Sequence, residues 1–156
     1  MSFQKSLERY VQIARAAGAI PVLITPTTRV WNKDRKEGFP VEHQHLTQQN
    51  VGSGFAFVGD YSQTIRETAT INQVPLIDLE AKTIAFANAH QADWKEYWLA
   101  IADFKTYPYY ATQTSGTFAK PDTTHFQEKG ARAVALLVAE GIRESAGLGR
   151  YAALLK

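Results

Sequence analysis

Apolar residues recur at helical spacing at the start of the chain, at Phe3, Leu7, Tyr10, Val11 and Ala14. This predicts an amphipathic helix with Ser2 as N-cap and Gly18 as its stop. A continuous apolar run follows, Ile20-Pro21-Val22-Leu23-Ile24, closed by Thr25-Pro26. Apolarity without alternation predicts a strand buried on both faces, as in a parallel sheet, with the proline confined to its beginning. From Thr27 to Gly54 the chain is polar and broken by Gly38, Pro40, Gly52 and Gly54, a long surface excursion. Val58, Tyr61, Ile65 and Ala69 mark a second helix to about Asn72, and Val74-Pro75-Leu76-Ile77-Asp78-Leu79 a second short strand. Glu80 to His90 reads as helix, anchored by Ile84 and Phe86. Asp93 to Tyr110 is aromatic-rich without a clear period. Val134, Leu137, Val138 and Ile142 share one face of a last helix that begins just after Asp122-Thr123-Thr124-His125 and ends at Gly147.

The order is an α/β alternation, with two predicted parallel strands flanked by helices. Two strands are few for an open sheet, so the chain reads as part of one. A second copy in a homo-oligomer, a partner, or an N-terminal segment is expected to complete it, with Tyr97 and Trp98 as candidate interface anchors.

Composition narrows the chemistry. With 156 residues, 45% hydrophobic and 21% charged, one ordinary core in a single domain is expected. Seventeen basic against fifteen acidic residues give a net charge of +2, too balanced to imply nucleic acid or an anionic membrane. The absence of Cys excludes disulfides, thiolate metal sites and a cysteine nucleophile. No apolar run is long enough to cross a membrane. Met1 to Gln12 lacks the apolar core of a signal peptide, so the chain as it stands is expected in the cytoplasm.

Three stretches resemble the SGNH (GDSL-type) hydrolases, in particular the branch of the rhamnogalacturonan acetylesterases. The first is Ala17-Gly18-Ala19-Ile20-Pro21-Val22-Leu23-Ile24-Thr25-Pro26, with Arg29 shortly after. The second runs from Gly59-Asp60-Tyr61 through Ile65-Arg66 to Val74-Pro75-Leu76-Ile77-Asp78-Leu79. The third is Asp122-Thr123-Thr124-His125-Phe126, followed by Gly130-Ala131-Arg132. The resemblance implies a flavodoxin-like three-layer fold of which this chain is the C-terminal, truncated portion. It also implies that Asp122 and His125 complete a catalytic triad with a serine. No G-D-S block precedes the first helix and no G-x-N-D block exists, so the family's nucleophile and oxyanion donors are missing from their expected places.

The residues themselves allow the same chemistry. Ester hydrolysis needs a hydroxyl made nucleophilic by a base, and the base needs a partner that fixes its tautomer. Histidine is the side chain suited to take up and return a proton at physiological pH, and Asp122 lies three residues before His125, within reach of the imidazole N–H. The alternative is a helix N-cap, Asp122 or Thr124, with His125 merely in the first turn. Ser53, Ser62 and Ser115 are candidate replacement nucleophiles; against this, Ser53 and Ser115 suit ordinary loops and Ser62 a helix surface. His43 and His45 lack a third metal ligand, and neither a metal nor another cofactor is expected. Trp94 and Trp98, among the aromatics, could stack on sugar rings or pack a core. Arg29 follows the first strand, where it contacts substrate or pairs with a carboxylate. The expected activity is hydrolysis of a small acyl ester or acetylated saccharide. Two alternatives stay open, a non-catalytic chain needing an N-terminal partner and an aromatic-lined carbohydrate-binding module.

Overall fold

The computed structural model describes residues 2–32, 34, 36–44 and 59–155. Val58, Ser53 and His45 therefore lie outside the described residues. The chain divides into two compact units.

The first unit comprises Met1–Thr27, Gln44–Lys82 and Leu137–Lys156. Helix α1 (Phe3–Ala16) starts where the Ser2 hydroxyl accepts the Lys5 N–H, and Gly18, at φ 72°, turns the chain out of it. Strand β1 (Leu23–Ile24) pairs in parallel with β2 (Leu76–Ile77), Leu23 against Leu76 and Ile24 against Ile77. Both predicted strands exist at the predicted places, shorter than the apolar runs that announced them. Between them lies α2 (Tyr61–Ile71), capped by Asp60, whose carboxylate accepts the Gln63 N–H at 2.8 Å. Val11 of α1, Ala69 of α2 and Val74 form a buried cluster against Leu23 and Leu76. Helix α3 (Leu79–Ala89) starts here, and α4 (Glu128–Glu144) ends here, followed by a 3-10 turn and α5 (Gly149–Ala152). Gly141 lets α4 approach β2: a Cβ there would meet Ile77 Cγ2 at 2.5 Å.

The second unit comprises Thr28–His43 and Thr83–Leu136. Its core is aromatic: Val30, Val41, Ala87, Trp94, Tyr97 and Trp98, with Phe39, Phe86 and Phe126 packed against them. Phe86 meets Tyr97 edge to face at 4.9 Å, and Trp98 lies 5.3 Å from Phe126. Here the sequence reading needs correction. The stretch without clear period contains β3 (Trp98–Leu99), and Asp122–Phe126 is a strand, β4, rather than the approach to a helix. The two pair antiparallel, Trp98 with Phe126 and Leu99 with Asp122. Two residues of β3 thus oppose the whole of β4, and the surplus residues form a bulge. Bulges commonly re-aim side chains in this way.

Among the described residues the strands form two two-stranded sheets, one parallel and one antiparallel. The chain is thus a mixed helix-and-strand protein, compatible with an α/β fold. No described helix is long and apolar enough to cross a membrane.

Candidate active site

The β4 bulge is fastened from both sides. On one side the Val30 N–H donates to the Thr123 carbonyl at 3.1 Å, and Trp31 Nε1 donates to the Thr123 hydroxyl at 2.9 Å. On the other, Asp122 folds back on its own tetrapeptide. Its Oδ1 accepts the Thr124 N–H at 2.8 Å and the His125 N–H at 3.0 Å, while Oδ2 meets His125 Nδ1 at 2.9 Å. Asp122 is therefore the clamp of a strand bulge and not the cap of α4, which begins only at Glu128. The N-cap alternative fails because the intervening residues are extended.

This geometry sets the tautomer of the ring. Burial alone would raise the Asp122 pKa. The hydrogen bonds from the His125 N–H, the His125 ring and the Thr124 N–H outweigh it and hold the carboxyl below its usual value. An ionised carboxylate only accepts, so the imidazole nitrogen facing it must carry the hydrogen. In the neutral ring the lone pair then sits on Nε2, which has no partner among the described residues. The His125 side chain is 74% exposed and Asp122 22%. The pair offers an oriented base, open on its outer nitrogen.

Arg29 stands close by. Its guanidinium lies 5.2 Å from the centroid of the Trp31 ring, the same indole that holds Thr123. Past Phe126 the chain borders an open groove of about 570 Å³. Leu99 and Ile101 give it an apolar lining, joined by the phenol rings of Tyr107 and Tyr110 and by two ion pairs, Lys129 with Glu96 and Arg132 with Glu128. Gln127, two residues beyond His125, donates to the Lys95 and Trp98 carbonyls at 2.6 and 2.7 Å and fixes the chain as it enters this groove.

The remaining candidates are placed differently. Ser62 lies in α2 but is fully buried rather than on the helix surface, and its hydroxyl has no hydrogen-bond partner among the described residues. Ser115 is exposed on a loop and makes no hydrogen bond to Asp122 or His125. Trp94 and Trp98 are core residues at 9% and 0% exposure, which leaves no face of Trp98 for a sugar ring. Tyr97, at 8%, is likewise buried within the unit and, like Trp98, offers no surface to a partner. Among the described residues no group of three or more His, Asp or Glu gathers as a metal would need.

Sequence reasoning missed the ion network of the first unit. Arg66 Nε donates to Asp78 Oδ2 and Nη2 to Glu80 Oε2, both at 2.9 Å, and the Glu80 side chain is 0% exposed. Thr25 Oγ1 donates to Asp78 at 2.9 Å and accepts the Glu80 N–H at 2.9 Å, tying the end of β1 to the end of β2. The only signal in the sequence is that Thr25, Arg66 and Asp78 fall in stretches shared with the SGNH hydrolases.

Comparison with known proteins follows the same line. No family model matches the chain, and no solved structure matches it significantly. Two curated proteins of Bacillus subtilis (strain 168) do match. The rhamnogalacturonan acetylesterase RhgT is 32% identical over 146 residues, 92% of this chain and 52% of the relative. The probable rhamnogalacturonan acetylesterase YesY is 31% identical over 143 residues, 92% of this chain and 51% of the relative. The chain spans about half the length of both. It is thus related, over that half, to the rhamnogalacturonan acetylesterases, a partial relationship of SGNH (GDSL) type.

Proposed function

We propose that this chain carries the acid and base of a serine ester hydrolase acting on acetylated saccharide or similar short acyl esters. The observation that carries the reading is the Asp122–His125 hydrogen bond of 2.9 Å, with Nε2 left open. In the reaction, Nε2 takes the proton of a serine hydroxyl as its oxygen bonds to the acyl carbon. The imidazolium then returns that proton to the departing alkoxide, and a water repeats the cycle to release the acid. Asp122 holds the tautomer and offsets the positive ring.

The serine and its oxyanion donors come, on this reading, from polypeptide equivalent to the half of the relatives that these residues do not match. The 156 residues then form part of one SGNH-type domain, with β1 and β2 two strands of a flavodoxin-like three-layer sheet. The groove lined by Tyr107 and Tyr110 suits the saccharide, because the faces of phenol rings stack on sugars. That groove takes over the role first given to Trp94 and Trp98.

The test is acetate release from an acetylated pectic saccharide by this chain co-produced with the uncovered half of RhgT. Hydrolysis is expected, falling about 10²–10⁴-fold in His125→Ala. Absent hydrolysis, or turnover indifferent to His125, removes the catalytic reading and leaves a non-catalytic chain.

A further inference from the structure

The bonds that make the Asp122–His125 pair are all local. Asp122 accepts from the Thr124 N–H, the His125 N–H and the His125 ring, which ties acid to base without tying either to the rest of the protein. The ladder to β3 holds only the ends of the strand. Leu99 faces Asp122 and Trp98 faces Phe126, so Thr123, Thr124 and His125 have no partner residue on β3. Packing does little for the ring, since the His125 side chain is 74% exposed. A base misplaced by about 1 Å can cost roughly 10²-fold in rate, so the anchoring of the bulge bears directly on the reaction.

The anchor acts on Thr123. Its carbonyl accepts the Val30 N–H at 3.1 Å, and its hydroxyl accepts Trp31 Nε1 at 2.9 Å. An indole N–H only donates, so the hydroxyl oxygen must face it. The backbone that presents the indole is itself held. Val30 is 0% exposed in the aromatic core, and its carbonyl accepts the Gly38 N–H at 3.2 Å. Trp31 and Glu37 form an antiparallel bridge beside it. The Arg29 guanidinium lies 5.2 Å from the centroid of the indole and favours one seating of that ring. Trp31 and Thr123 are 92 positions apart, so their bond carries the rigidity of a distant segment to a residue between acid and base.

We infer that Trp31 is a positioning residue for the Asp122–His125 pair, acting through the Thr123 hydroxyl, with Arg29 bracing the indole. The inference rests on the reading above for its catalytic meaning. In this role Trp31 touches neither substrate nor reacting atoms. It fixes the place from which His125 presents Nε2.

The test reads the ring itself. Nitrogen NMR on the chain with isotope-labelled histidine, in alkaline buffer where imidazole is neutral, measures how the hydrogen divides between Nδ1 and Nε2. His125→Ala assigns the signal. The parent chain should hold the hydrogen on Nδ1. Trp31→Phe keeps a ring beside Arg29 but removes the donor, and Thr123→Val keeps the shape but removes the acceptor. In each, the ratio of Nδ1–H to Nε2–H should fall by about 2–10-fold, what one ordinary hydrogen bond supplies. Thr123→Ser keeps the hydroxyl and should keep the parent ratio. The double variant should be no worse than either single, because both break the same bond. Arg66→Met, destabilised in the other unit, should leave the ratio unchanged. A ratio unchanged in both Trp31→Phe and Thr123→Val overturns the proposal, as does an equal fall in Arg66→Met. Complemented with the uncovered half of RhgT, the two variants should lose about 2–10-fold in kcat with KM unchanged. A parent kcat, or a loss in KM alone, overturns it as well. A ratio that shifts in a protein that hydrolyses no ester keeps Trp31 as the holder of the pair and removes only the catalytic reading.

Discussion

Arg66 serves two carboxylates at once, and its removal gives a stability change whose size follows from burial. In Arg66→Met the side-chain volume is nearly kept, but Asp78 and Glu80 lose their cation. Asp78, at 33% side-chain exposure, recovers much of the loss from water, so its share is small. Glu80 has no such recourse, because its side chain is 0% exposed. Its surviving neighbours include the Gln44 N–H at 3.2 Å, a hydrogen bond without a compensating charge. Removing one partner of a buried pair costs about 3–5 kcal/mol. For a chain of this size that lowers Tm by roughly 6–20 °C. Thermal unfolding by circular dichroism at neutral pH measures it directly. Arg66→Met combined with Glu80→Met should recover most of it. A fall in Tm of less than about 2 °C in the single variant, or a double variant no better than the single, refutes the argument that Glu80 depends on Arg66.

Three further predictions concern the second unit. Asp122 is held below the ordinary carboxylate value of about 3.9. Its contribution to stability is therefore complete above that value and lost as pH falls through the lowered one; a carbon NMR titration with a midpoint at or above 3.9 contradicts this. Gly130→Ala drives a Cβ into the Tyr97 carbonyl, a backbone atom that cannot rotate away. A loss of about 1–3 kcal/mol is expected in denaturant melts, and an unchanged midpoint would show that α4 shifts freely. His90 also meets an aspartate three residues on, Asp93 at 3.1 Å, but its ring packs against Phe86 and Tyr97. His90→Ala should leave ester turnover untouched in the complemented protein, and a loss matching that of His125→Ala would assign the base wrongly.

Much of the first unit was legible because its signals are local. Ser2 and Asp60 cap the helices they precede, and Pro21 and Pro75 stand just before strands that tolerate them there. The second unit was not legible in the same way. Trp98–Leu99 is a strand of two residues without alternation, and Asp122-Thr123-Thr124-His125 is polar and turn-like. They pair because the aromatic core brings Trp98 against Phe126, a tertiary cause that no window along the sequence contains. The Asp122–His125 contact was expected from a turn and arises instead from a bulge. Ser62 misled for a similar reason: α2 is buried on the face that carries it. The Arg66 network joins residues 12 and 14 positions apart, a distance at which sequence supplies charges without partners.

Whether His125 activates a serine is best tested by covalent labelling. The chain, complemented with the uncovered half of RhgT, is treated with a phosphonate ester and the adduct is mapped by peptide mass spectrometry. One modified serine is expected on the complementing half, with labelling abolished in His125→Ala and strongly slowed in Asp122→Asn. Modification that proceeds unchanged without the imidazole, or no modified hydroxyl on either polypeptide, would contradict the assignment of Asp122 and His125 as acid and base.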